Sequence, residues 1–306
     1  LGDVYKRQLE VKAELLYNRI PFSKILFMIN LSLGVLSFML LLHNSLQRNT
    51  PSPKAKTISR TAGTIFSVAL YLAFIFHLAG YCLRWYIGGR VPLSNGYETM
   101  QFMALCILLI ACLLHRRFSF ILPFGFLLSG FALLVSYLGQ MNPQITPLMP
   151  VLVSPWLSIH VSLIMMSYAL LAFIMLNGIL ALCLRKKEPE NNVSENDDRQ
   201  DNRIEQLTLV SRLLLYPATF FLGAGIFLGA VWANVSWGRY WAWDPKEVWA
   251  LITFLVYGAA FHSQSLRIFR KPLFFHIYMI LAFLTVLMTY FGVNYVLGGM
   301  HSYANS

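Results

Sequence analysis

Apolar residues run along this chain in long blocks separated by short polar breaks. A helix needs about 20 such residues to cross a bilayer. Eight blocks approach that length, at roughly 25–43, 62–84, 99–115, 119–138, 158–184, 212–232, 248–266 and 273–297. The pattern predicts an all-α fold, a polytopic membrane helical bundle of about eight transmembrane helices, with no soluble domain. The longest polar break, 185–211, begins R-K-K-E-P-E-N-N-V-S-E-N-D-D-R and is too poor in apolar residues to pack; it predicts a flexible linker.

Charge then orients the bundle. Of 306 residues 57% are hydrophobic and 12% charged, the latter about half the share in a soluble domain. The net charge of +11 sits between the apolar blocks, so it reads as a set of topology determinants and not as a nucleic-acid surface. One set of alternate loops holds fifteen Lys and Arg, the opposite set only Arg84, Arg90, Arg239 and Lys246. The basic set belongs in the cytoplasm. Loops 84–98, 139–157 and 233–247 and the tail 298–306 then lie outside, in a multi-pass protein of the cytoplasmic (inner) membrane.

Residues 1–24 conflict with this, since they fall outside yet carry five basic residues. Long external domains cross largely regardless of charge, so the conflict disappears if these residues end a larger external domain. The opening also lacks the pattern of a signal peptide, and the chain is expected to be the C-terminal portion of something longer.

The motifs of other chemistries are missing. There is no phosphate-binding G-x-x-x-x-G-K-[ST], no H-E-x-x-H and no G-x-S-x-G. Cys82, Cys106, Cys112 and Cys183 lie in apolar blocks without a C-x-x-C pair, and read as small packing residues.

Five of the seven tryptophans, Trp232, Trp237, Trp241, Trp243 and Trp249, fall between 232 and 249, in W-A-N-V-S-W-G-R-Y-W-A-W-D-P-K-E-V-W. An aromatic belt at the headgroup level accounts for one or two rings per helix end. It does not account for Gly238, Arg239, Tyr240, the Asp244-Pro245 turn, Lys246 and Glu247 between the rings. Aromatic faces with a few fixed charges suit a large, flat, apolar ligand with carboxylates at its edge.

Imidazole is the commonest metal ligand, and haem iron takes one or two axial bases. His160 opens the fifth apolar block and His301 follows the eighth, both at the level of the tryptophan loop. Either alone reads more simply as a surface or capping residue; flanking the loop together, they favour ligation from the two faces of a porphyrin. His262, fifteen residues after Glu247 and roughly 22 Å along a helix, is expected inside the seventh block, where an ionisable residue is a functional candidate. His77 stands even between packing and function, His43 and His276 sit near cytoplasmic ends, and His115 reads as a loop residue. Glu98 stands even between a solvated helix-end carboxylate and a functional one.

The segment W-G-R-Y-W-A-W-D-P-K-E-V-W-A-L resembles the tryptophan-rich WWD signature of haem-handling membrane proteins, closest to the CcsA branch of System II cytochrome c biogenesis and its CcsB–CcsA fusions. R-W-Y-I-G-G-R-V-P-L-S-N-G-Y-E, P-W-L-S-I-H-V-S-L, F-H-S and G-V-N-Y-V-L-G-G-M-H-S-Y carry the same likeness across about residues 60–303. Residues 1–45 resemble the end of a CcsB (ResB-like) half with its last transmembrane helix, 46–60 a cytoplasmic linker, and 61–306 the CcsA-like haem-handling domain.

The resemblance implies haem b as substrate and ligand. Haem moves to the outer face and is presented there for thioether attachment to the C-x-x-C-H motif of apocytochrome c. This is a cytochrome c synthase (haem lyase) activity exercised with the CcsB half, alongside thiol-reducing thioredoxin-like proteins. His160 and His301 match the external ligands and His262 the intramembrane one, while Trp237, Trp241, Trp243 and Asp244 belong to the presenting segment. Pairing of Arg239 or Lys246 with propionates is a separate expectation, from charge. The alternative is a carrier that hands haem to a chaperone without forming a bond; a transporter of another hydrophobic ligand would not need the paired histidines.

Overall fold

A computed structural model describes residues 2–46, 53–138, 143–145, 154–184, 195–263 and 265–297. His301, with the rest of the tail, lies outside the described residues, as does most of loop 139–157. The described residues are helices joined by turns, and seven of the helical segments are long and apolar enough to cross a membrane.

The chain divides into two compact units, Leu1–Leu42 with Thr50–Val153, and His43–Asn49 with Ser154–Ser306. This division reflects packing; the sequence division at residue 45 reflects resemblance, and the two describe different things. In the first unit, α1 (Gly2–Arg19) and α2 (Phe22–Leu46) precede α3 (Pro53–Gly88), α4 (Gly96–Leu114) and α5 (Ile121–Leu138). Small residues let α2 and α5 approach: a methyl group at Gly34 would lie 2.9 Å from Leu127, and one at Gly130 2.9 Å from Leu31. Beside these contacts Asn30 Nδ2 donates to Ser129 Oγ at 3.0 Å, a polar tie inside an apolar interface.

The second unit holds α6 (Pro155–Leu184), α7 (Glu195–Trp237), α8 (Pro245–Ala259), α9 (Pro272–Leu287) and a π-helical turn region, Met288–Leu297, that continues α9. Helices α6 and α7 run antiparallel in a continuous register. Asn177 Nδ2 donates to Ser211 Oγ at 3.1 Å, Ser167 Oγ to the Ala218 carbonyl at 2.8 Å, and His160 Nδ1 to the Gly225 carbonyl at 2.6 Å. Each step toward the start of α6 is a step toward the end of α7.

Two sequence expectations change here. The linker 185–211 is helical from Glu195 onward, because I-E-Q-L-T-L-V carries a helical period that buries Leu207 and Val210 at 1% exposure, with Thr208 between them. The seventh block, 248–266, forms only the 15-residue α8, about 22 Å long at 1.5 Å per residue. Past Gly258 the bonds tighten to the three-residue spacing, Phe261 N–H to Gly258 and His262 N–H to Ala259, both 3.1 Å, and the helix stops. His262 therefore sits exposed in the turn beyond α8, not within the helix.

Candidate functional site

The tryptophan stretch is a helix end, a seven-residue connection and a helix start. Trp232 is packed away at 1% exposure near the end of α7, with Trp237 edge-on to it at 4.8 Å between ring centroids. Gly238 takes φ +73° directly after α7, the left-handed position that ends a helix at little steric cost for glycine. Trp241 and Trp243 meet edge to face at 6.0 Å and 88°. Trp243 is 73% exposed and Tyr240 60%. The expected sheet of aromatic faces is thus graded, from a buried ring at Trp232 to an outward one at Trp243.

Trp243 takes φ +58°, a conformation that costs a bulky residue of order 1 kcal/mol or more and persists only where its surroundings hold it. The next residues do so. Asp244 caps α8, its Oδ1 accepting the Lys246 N–H at 3.0 Å, and Pro245 fills the first helical position, where no N–H is needed. Glu247 Oε2 reaches back to the N–H groups of Ala242 at 2.8 Å and Asp244 at 3.1 Å, completing a capping box. Both carboxylates thus accept backbone N–H groups, which sequence reading had not assigned them. The signal was legible as D-P-x-E, the mark of a helix start.

Charge at the loop is uneven. Arg239 is exposed and Lys246 half-buried in the first turn of α8. Burial pushes the Lys246 ammonium down to about 8, against the opposing pull of Asp244. Trp249, one turn further, gives its carbonyl to Thr253 at 2.8 Å and to Thr289 at 3.2 Å, which ties α8 to the π-helical segment.

His160 lies on α6 against the last turns of α7. A carbonyl only accepts, so the 2.6 Å contact with Gly225 makes Nδ1 the protonated nitrogen and puts the neutral ring's lone pair on Nε2. In its neutral form this tautomer ligates a metal through Nε2. The ring packs on Gly229, three residues before Trp232, so α7 brings the histidine close to the base of the tryptophan loop. His262 stands past the opposite end of α8 from that loop.

The other histidines have structural partners. His77 Nε2 donates to the Gln101 carbonyl at 2.8 Å, and His115 Nε2 meets the Tyr71 hydroxyl at 3.0 Å, both buried. His276 Nε2 meets Thr208 Oγ1 at 2.9 Å, and His43 is exposed. Among the described residues no three His, Cys, Asp or Glu side chains gather as a metal site. Glu98 is not solvated: it is 1% exposed and accepts from Arg84, Arg90 and the Ser94 N–H within the first unit.

Comparison with known proteins bears on the same residues. A family model described as "Cytochrome C assembly protein" matches residues 93–301, a range containing His160, the tryptophan loop, His262 and His301. Protein NrfI of Wolinella succinogenes is 36% identical over 307 residues, 99% of this chain and 32% of its own length. Cytochrome c biogenesis protein CcsA of Chlamydomonas reinhardtii is 37% identical over 232 residues, 72% of this chain and 63% of its own length. The namesake in Guillardia theta is 35% identical, covering 72% of this chain and 79% of its own length. The chain thus spans about a third of the first of these relatives and under two thirds of the second.

Proposed function

The chain belongs to the cytochrome C assembly protein family and has its role in cytochrome c biogenesis, and from that premise we propose that it binds haem at the tryptophan loop and presents it for attachment to apocytochrome c. The observation that carries the reading is the His160–Gly225 hydrogen bond, which makes Nδ1 the donor of a ring packed against Gly229, three residues before Trp232. His160 and His301 are the two axial bases. The exposed rings of Tyr240 and Trp243 and the half-buried Trp237 and Trp241 offer apolar faces to the macrocycle. Arg239 and Lys246 supply the positive charge for its propionates. His262, at the far end of α8, serves an inner station on the way to the loop.

Haem is the substrate, and its chemistry is its own: each peptide thiol adds its S–H across one vinyl double bond, so no oxidant is needed. The protein's residues orient the ring and hold it beside the peptide, which raises the effective concentration of thiol and vinyl. The helix capping of Asp244 and Glu247 keeps the loop rigid while an apocytochrome docks. The loop side is extracytoplasmic on the count of loop charges. The resemblance of residues 1–45 to the end of a CcsB half has the protein work alongside a CcsB-like half, fused or separate. Thiol-reducing thioredoxin-like proteins keep the peptide cysteines available.

The test is an absorption spectrum of protein purified from membranes, co-expressed with a CcsB-like half and a C-x-x-C-H reporter. Wild type is expected to show a reduced low-spin haem spectrum that His160→Ala/His301→Ala loses, and to yield covalently haem-stained reporter. Haem bound without stained reporter would make the protein a carrier. Wild-type protein devoid of haem would overturn the proposal.

A further inference from the structure

We propose that Gly229 is a positioning residue for His160: its lack of a side chain seats the imidazole where the Gly225 carbonyl can hold it. The inference rests on the reading of His160 as a haem ligand. A methyl group built at Gly229 would stand 2.7 Å from His160 Cε1 and 2.8 Å from Nδ1, closer than side-chain carbons approach. The clash falls on the donating Nδ1 and its neighbour Cε1, so relieving it moves the ring off its 2.6 Å bond to Gly225. By helix geometry the Gly225 carbonyl already accepts the Gly229 N–H, so His160 takes the second lone pair of the same oxygen.

The neighbouring glycines differ in what they touch. A methyl group at Gly225 would meet Ile164 Cδ1 at 2.6 Å, the end of a flexible chain one turn along α6 from His160. One at Gly223 would meet the edge of the Phe254 ring at 3.0 Å, on α8. G-x-x-x-G spacing at 225 and 229 ordinarily signals close helix packing alone. Here one of its two positions is filled by a polar ring whose tautomer the other position's carbonyl selects. An imidazole that donates through Nδ1 is a better-oriented and more basic ligand through Nε2, and loss of such a partner typically weakens metal binding about 10–100-fold.

The experiment has two arms. In the first, ¹⁵N-histidine NMR of haem-free protein, with His160 assigned by its absence in His160→Ala, is expected to show Nδ1 protonated and Nε2 unprotonated in wild type. Gly229→Ala is expected to mix the tautomers. In the second arm, haem-loaded Gly229→Ala is expected to lose the low-spin spectrum at wild-type haem concentrations and to regain it on addition of free imidazole, while Gly223→Ala keeps it. A wild-type His160 protonated at Nε2 overturns the proposal, even if the variant fails to fold. So does a Gly229→Ala protein with an unchanged spectrum, or a loss that imidazole does not restore and Gly223→Ala shares. Wild type without haem would remove the ligand reading, and the first arm would still decide whether Gly229 and Gly225 set the ring.

Discussion

Arg84 and Glu98, fourteen residues apart and 2% and 1% exposed, meet with Arg84 Nε and Nη2 both on Glu98 Oε1, at 3.1 and 2.9 Å. Glu98 Oε2 takes Arg90 at 2.9 Å and the Ser94 N–H at 2.8 Å. Arg84 extends further, donating to the carbonyls of Pro143 at 2.6 Å and Gln144 at 3.2 Å, with its guanidinium 5.0 Å from the centroid of the Tyr97 ring. One carboxylate and one guanidinium thus pin the end of α3, the turn before α4 and the segment 143–145 within the first unit.

Removing one partner of a buried pair strands the other's charge. Glu98→Ala is expected to destabilise the first unit by roughly 3–5 kcal/mol, read as a lower melting temperature in detergent. The double variant Arg84→Met/Glu98→Leu is expected to cost less than the two single changes together. Additive losses would show that the two side chains act separately.

The capping role of Asp244 distinguishes shape from charge. Asn caps as well as Asp, whereas Ala typically costs about 1 kcal/mol. Asp244→Asn is therefore expected to keep haem occupancy, and Asp244→Ala to lower both stability and occupancy. Equal loss of haem in both variants would mean that the charge itself is required.

Trp243 holds a left-handed backbone that glycine adopts without strain. Trp243→Gly is expected to leave the melting temperature unchanged or slightly higher while reducing haem retention several-fold. A fall in stability would show that its edge-to-face contact with Trp241 outweighs the backbone strain. Gly238→Ala, by contrast, places a side chain at φ +73° and is expected to destabilise by about 1 kcal/mol.

Lys246 sets a pH dependence. Its folded value of about 8 lies below the ordinary 10.5, so between these limits the unfolded chain binds more protons than the folded one. Stability is therefore expected to rise as pH increases from about 8 to 10.5, and the cost of burying the charge to be fully present below 8. Lys246→Met should abolish the rise in a pH series of unfolding curves. Haem retention should move the opposite way, falling above pH 8 if the ammonium pairs with propionates.

Much of this protein was legible before its structure. Block length and hydropathy determined an all-α membrane bundle, and seven of the eight blocks became membrane-length helical segments, because a backbone in lipid has to satisfy its own hydrogen bonds. The density of tryptophan around Gly238 and Asp244 marked the candidate site. Tertiary structure decided the rest. The polar stretch before Leu207 is helical because α7 finds partners for Leu207 and Val210, which a charge count does not weigh. The seventh block's helix ends at Ala259 through local tightening of the backbone, which places His262 in a turn beyond it. Composition showed Asp244 and Glu247 as charges near a ligand; the fold turned their carboxylates onto backbone N–H groups. Arg84 entered only a count of loop charges and Glu98 stood even between a solvated and a functional carboxylate, since a partner fourteen residues away becomes a neighbour only when two helices pack. Hydrophobic pattern is written along the chain and can be read there, whereas which polar atoms meet depends on helix contacts that no single stretch encodes.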